Sequence, residues 1–234
     1  MNNHVTVSDL VASVRRQQPL HTVAAAPAAV AWPSRSVSII GAHPGAGATS
    51  VAVAITDSLA ARGHHVTLID RAMTPDAFSC VEVLVDGGSA GGRAGRRGTA
   101  RIVRFDLAPT APGCDSDIAV VDGQHGGDRT VVVCRATLPS VGKASGLLAD
   151  EALLAVVGAS RWPEMVAASL SPAAARVVEE GRVAFLPHHR DAQVRGPDSE
   201  PTPSSVLAAA ARLTSLLWPD LVMTTPRNRW KARR

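Results

Sequence analysis

From residue 36 to residue 218 the chain alternates short apolar runs with longer stretches of mixed polarity. Runs of valine, isoleucine, leucine and alanine occur at SVSII (36–40), HVTLID (65–70), ARIVRF (100–105), DIAVVD (117–122), TVVVC (130–134), LLAVV (153–157) and RVAFLP (182–187). Short β-branched runs bounded by turn residues predict strands. Apolar residues recur at helical spacing in 50–62, 143–151, 165–180 and 204–218, which predicts helices there. Strands alternating with helices predict an α/β fold, a mostly parallel, doubly wound sheet with helices on both faces. Residues 87–99, rich in Gly and Arg, fit neither period and are expected to form a loop. Residues 4–17 suit a short helix with Ser8 as cap and Val7, Leu10, Val11 and Val14 on one face. An Ala/Pro-rich linker follows it. The expected organisation is an N-terminal helix and linker over 1–35, an α/β domain over 36–220 and a basic tail over 221–234.

Composition refines this outline. With 234 residues, 46% of them apolar, the chain has room for one sizeable core. Aromatic residues make up only 3% and tyrosine is absent, so the core must consist of aliphatic side chains, as in helix-covered parallel sheets. The net charge of +4 is concentrated in GGRAGRRGTAR and in the C-terminal PRNRWKARR. These segments suit contact with DNA or an acidic protein partner, and equally suit a solvated loop and a frayed tail. The three cysteines, Cys80, Cys114 and Cys134, have no metal-ligand spacing and are odd in number, which points to a reducing compartment. No apolar stretch reaches about 18 residues and the N-terminus lacks a signal-peptide pattern, so a cytoplasmic protein without a membrane span is expected.

In an open parallel sheet ligands gather at the carboxyl ends of the strands. That rule selects 41–49, 70–72, 122–123, Arg135, 158–162 and 187–190. The first segment is GAHPGAGATS, a glycine-rich turn between a predicted strand and a predicted helix. Phosphate-binding loops of the form G-x-x-x-x-G-K-[ST] cradle phosphates with backbone N–H groups, neutralise them with lysine and hold Mg²⁺ through the hydroxyl. With Thr49 as the hydroxyl residue, Ala48 stands at the lysine, Gly47 at the second glycine and Ala42 at the first. Backbone anion binding survives these losses, because Gly45 and Gly47 free the turn and the helix entrance supplies amides. Replacement charge must come from arginine or from His43, since Lys143 and Lys231 are the only lysines and neither follows a predicted strand. Arg135, Arg161 and Arg190 do follow strands, though a surface arginine is the plainer reading of each.

Over residues 36–218 the chain resembles the ParA/MinD branch of P-loop nucleotide-binding proteins. That family carries a deviant loop, K-G-G-x-G-K-[ST]-[ST]. On this pattern HPGAGATS places His43 and Ala48 at the two lysines, Pro44 and Gly45 at the paired glycines, and Thr49 and Ser50 at the hydroxyl pair. HVTLIDRAMTPDA is similar to the family's VLLIDxDPQ segment, with Asp70 retained and Ala72 where the family has its hydrolytic acid; Asp76 is a candidate substitute. SDIAVVDG resembles the Walker B strand and puts Asp122 where a carboxylate supports Mg²⁺. The resemblance implies ATP or ADP with Mg²⁺, contacts from His43, Gly45, Ala46, Gly47, Ala48, Thr49, Ser50, Arg135 and Arg161, metal support from Thr49 and Asp122, and a regulatory or partition-type role, with a homodimer as one form. With both lysines and the acid at Ala72 missing, no catalytic residue is assigned and hydrolysis is expected to be slow.

Three other readings stand beside this one. Arg135 or Arg161 would make it a working ATPase. A nucleotide-free scaffold would act through Arg93, Arg96 and Arg97 and the tail from Arg227, on DNA or a protein. A dinucleotide enzyme would use Asp70 on a ribose. Trp162 is expected to anchor packing rather than stack on a base, and the histidine pairs 64–65 and 188–189 to be polar surface.

Overall fold

The computed structural model describes residues 33–70, 82–86, 92–105, 116–123, 128–187, 189 and 201–223. Within them the apolar runs pair into a sheet of nine strands: β1 (Arg35–Gly41), β2 (Val66–Asp70), β3 (Glu82–Asp86), β4 (Gly92–Arg97), β5 (Ala100–Phe105), β6 (Ile118–Asp122), β7 (Arg129–Arg135), β8 (Leu153–Val157) and β9 (Val183–Leu186). Their order is β3-β4-β5-β2-β6-β1-β7-β8-β9. From β5 to β9 every pairing is parallel, and only β3–β4 and β4–β5 are antiparallel.

Among the described residues five helices accompany the strands: α1 (Ala48–Ala61), α2 (Leu138–Ser145), α3 (Glu164–Ala167), α4 (Pro172–Glu179) and α5 (Ser204–Leu217), followed by a 3₁₀ turn at Pro219–Met223. Alternate residues of each strand serve opposite faces. Val37, Ile39, Leu68, Ile102, Val120, Val131 and Val133 bury one face against Val51, Ile55 and Leu59 of α1 and Leu213 and Leu217 of α5. Trp218 is buried in the same cluster and closes the end of α5. On the other face Val132, Cys134, Leu154 and Val156 pack with Val141 and Ala144 of α2, Val166 of α3 and Val177 of α4. Both strand faces are therefore covered in the central sheet, which is why these runs are continuously apolar.

All seven strands expected from the apolar runs are present. Four features depart from expectation. Within 87–99, expected to be a loop, Gly92–Arg97 is an antiparallel strand hydrogen-bonded to β5 and β3, and β3 itself is an additional strand. Such a hairpin is held by backbone pairing and needs no apolar period. It is also pinned from below: Arg97, its side chain 9% exposed, donates through Nε to both carboxylate oxygens of Asp57 on α1, each at 3.0 Å. The helix expected over 143–151 instead occupies Leu138–Ser145, because Pro139 suits the first turn, where its missing N–H costs nothing, and the chain turns at Gly146. The helix expected over 165–180 is two, since Pro172 cannot continue α3 but opens α4, with Ser171 capping the Ala174 N–H at 3.2 Å. The expected helix over 4–17, the basic tail from Arg227, and Ala72, Asp76, Cys80, Cys114 and Arg190 lie outside the described residues.

Candidate functional site

β1 and α1 are joined by the glycine-rich turn at the carboxyl edge of the sheet. The turn is tied to the sheet by Ala42, whose N–H donates to the Val133 carbonyl at 2.8 Å. It then closes on itself, the Ala46 N–H reaching the His43 carbonyl at 3.0 Å, while the Ala46 side chain is 1% exposed in the core. Ala46 therefore spends its amide inside the turn. Gly45 and Gly47 adopt φ of 78° and 101°, the left-handed region that side chains rarely enter. A Cβ on Gly47 would also lie 3.4 Å from both methyl carbons of Val157 on β8. Gly47 is the residue before α1, and its carbonyl accepts the Val51 N–H at 3.0 Å. The amides of Gly47, Ala48, Thr49 and Ser50 have no acceptor among the described residues. Together with the positive end of the helix dipole they form an anion cradle.

Beneath this cradle lie two acids. Asp122 ends β6 and is paired in register with Ile39 on one side and Asp70 of β2 on the other. Asp70 is 1% exposed and Asp122 3%. Burial pushes the Asp122 carboxyl above the usual range, and a hydrogen bond from Thr49 partly offsets that rise. The second oxygen, Oδ2, is buried and has no hydrogen-bond partner among the described residues. An orphaned carboxylate oxygen beside a hydroxyl at a helix entrance fits a hard divalent cation. No group of three His, Cys, Asp or Glu residues among the described residues could hold a metal without help. A cation held by Thr49 and Asp122 would need oxygen from phosphate or water as well, the usual coordination of Mg²⁺.

The cation candidates divide. Arg135 ends β7 and folds over the turn, Nε and Nη2 donating to the Gly45 carbonyl at 3.2 and 3.1 Å. Arg161, on the loop after β8, is exposed and makes no hydrogen bond or ion pair among the described residues. His43, which the resemblance sets at the first lysine of the loop, turns its ring away to α2. Nδ1 carries a hydrogen because its partner is the Pro44 carbonyl oxygen, at 2.7 Å, and Nε2 lies 2.8 Å from Ser140 Oγ. Ser140 Oγ also accepts the Arg135 backbone N–H at 2.8 Å, so one buried hydroxyl fixes His43 and the root of Arg135 together. Sequence reasoning did not identify Ser140, because no spacing marks a serine that acts across 97 residues. Lys143 lies on α2 and not in a carboxyl-edge loop.

Other candidates take structural parts. Trp162 meets Phe185 edge-on, with centroids 5.4 Å apart and planes at 79°, and packs against the core beneath α2 and α4. The Cys134 thiol, pushed up to about 12 by burial, is no nucleophile at neutral pH. Asp70 is too enclosed to face a ribose, which removes the support for the dinucleotide reading. No helix among the described residues is long and apolar enough to cross a membrane.

No protein-family model matches the chain, and no curated protein matches its sequence. Solved structures do match its fold. The MinC:MinD cell division protein complex of Aquifex aeolicus aligns over 78% of this chain and 96% of that chain, at 18% identity and a TM-score of 0.55. The septum site-determining protein MinD of Pyrococcus horikoshii, complexed with Mg-ADP, aligns over 77% and 94%, at 14% identity and a TM-score of 0.51. A ParA family ATPase from Chlorobium tepidum aligns over 81% and 99%, at 13% identity and a TM-score of 0.50. With its strand order, its glycine turn and its two acid-ended strands, the chain has the α/β fold of ParA/MinD-like P-loop proteins.

Proposed function

We propose that the protein binds ATP or ADP with Mg²⁺ weakly, hydrolyses it slowly or not at all, and uses the bound state as a regulatory or partition-type signal. The observation that carries this reading is the open row of amides from Gly47 to Ser50 beside the half-buried Thr49 and its buried partner Asp122. The amides suit phosphate oxygens, and Thr49 with Asp122 suits the metal, which when bound would neutralise phosphate charge. Gly45 and Gly47 keep the turn in its required shape. Ala48 and Ser50 contribute through the main chain, and Arg161 lies on the rim. His43 contributes to the shape of the turn, both ring nitrogens being engaged by Pro44 and Ser140. The Mg-ADP complex of the Pyrococcus relative supports the same class of ligand.

Slow hydrolysis follows from charge. Phosphoryl transfer depends on cations that meet the developing negative charge, and neither Ala48 nor His43 provides one here. Titration calorimetry with Mg-ATP, comparing the wild type with Thr49→Ala, tests the reading: binding weakened in the variant is expected, and equal heats from both proteins would refute it. A homodimer is the proposed assembly, testable by sedimentation with and without Mg-ATP. The scaffold reading, in which the Gly/Arg-rich segment binds DNA or an acidic protein, has partial support: Arg96 and Arg101 are exposed and face each other across β4 and β5. Arg97 is committed to Asp57 and is not part of such a surface.

A further inference from the structure

We propose that Arg135 is the side-chain cation of the phosphate site, supplying from β7 the charge that the loop itself lacks. The proposal rests on the nucleotide-binding reading above and names the residue that makes it workable. Arg135 is placed for this by two contacts and by the space left beside it at Gly158. Its backbone N–H is held by Ser140 Oγ, which is 2% exposed, so the root of the side chain is fixed. Its guanidinium reaches across to the turn and grips the Gly45 carbonyl with two donors. Nη1 makes no hydrogen bond among the described residues and lies 3.6 Å from the point where a Cβ on Gly158 would stand. Gly158 has φ of 86°, so a side chain there would be strained and would also crowd the guanidinium.

The other cations of the described site are unsuited. His43 has both ring nitrogens engaged with the protein, and Arg161 is held by nothing among the described residues. Guanidinium presents five N–H donors in a planar fork, of which the Gly45 carbonyl takes two. A phosphate oxygen carries charge where a carbonyl carries only a dipole, so phosphate arriving at the amides of Gly47 to Thr49 is the stronger partner. Arg135 then bridges turn and phosphate, or exchanges one for the other, without moving its anchored backbone. The unpartnered Oδ2 of Asp122, buried below the same turn, is a second sign that the site is built for an ion pair of ligand and metal.

A role in holding Gly45 alone and a role in meeting phosphate make different predictions. Calorimetric titration of the full chain with Mg-ATP, at low and high NaCl, would compare the wild type with Arg135→Ala and Arg135→Lys. Arg135→Ala is expected to weaken binding about 10- to 100-fold, the usual range for one hydrogen-bonded charge, and to flatten the salt dependence. Arg135→Lys keeps the charge without the fork and is expected to recover part of the affinity and most of the salt dependence. If the wild type binds and Arg135→Ala matches it, or binds more weakly with unchanged salt dependence, Arg135 does not meet phosphate and the inference is overturned while nucleotide binding stands. If the wild type does not bind Mg-ATP at all, the nucleotide reading falls and this inference with it.

Discussion

The two halves of the site are built from different materials. Below the turn, side chains define the proposed metal half: Thr49 and Asp122 sit on adjacent elements, and Asp122 is almost fully buried beside Asp70. Above it, the proposed phosphate half consists of main-chain amides, and among the described residues an anchored cation comes from β7, 90 residues from the carbonyl it grips. The metal half depends on particular residue types; the phosphate half depends on backbone shape. A cradle of amides needs no lysine as long as the glycines hold the turn at positive φ. Loss of a cation changes affinity and chemistry and leaves the fold untouched.

That contrast can be broken most severely at Gly47. Gly47→Val would force a β-branched residue to φ near 101° and against Val157. It is expected to cost about 2–4 kcal/mol, read by denaturant unfolding, and to abolish Mg-ATP binding. A substitution far from the phosphates asks whether the Gly/Arg-rich segment belongs to the framework. Asp57→Ala would deprive the largely buried Arg97 of its carboxylate and is expected to cost about 2–3 kcal/mol, whereas Arg96→Ala, on the exposed side, should stay within about 0.5 kcal/mol. Equal losses from the two variants would contradict the assignment of Arg97 to the interior.

Asp122→Asn separates the two halves directly. Because burial raises the folded-state pKa, the folded protein binds a proton more tightly than the unfolded chain does, and stability is lost as pH rises from the ordinary carboxyl range through the raised value. At neutral pH the charged carboxylate therefore opposes folding in the ligand-free protein. Asn in its place is expected to stabilise that protein by about 1–2 kcal/mol, roughly 2–8 °C in thermal unfolding, while removing the Mg²⁺ dependence of nucleotide binding. A lower melting temperature without ligand would contradict the account of Asp122. The smallest effect on ligand binding is expected at Ser140. Ser140→Ala removes the hydroxyl shared by His43 and the Arg135 N–H, costing about 1–2 kcal/mol in unfolding and weakening Mg-ATP binding less than Arg135→Ala does.

Much of the framework could be read from sequence because it follows burial. Strands covered on both faces must be apolar throughout, so VTLID, IAVVD and TVVVC announce themselves, as does the glycine turn that follows β1. β4 could not be read in this way: its sequence, GRAGRR, has no apolar period, and it exists because β3 and β5 satisfy its backbone and Asp57 satisfies Arg97. The helix boundaries near Pro139 and Pro172 were missed because the apolar spacing alone does not mark a proline as the first turn of a helix. In the candidate site, Asp122 and Arg135 are singled out by their places after strands and Thr49 by the loop pattern. What they touch could not be named, since the contacts from His43 to Ser140 and from Arg135 to Gly45 span 97 and 90 residues and no local pattern encodes them.

The central claim is that main-chain amides at the entrance of α1 receive phosphate. Recording backbone amide resonances of ¹⁵N-labelled protein during titration with Mg-ATP tests it most directly. The account predicts that Gly47, Ala48 and Thr49 shift first and furthest, with the Arg135 side-chain Nε resonance following them. Shifts confined to other segments, or none at saturating nucleotide, would contradict it.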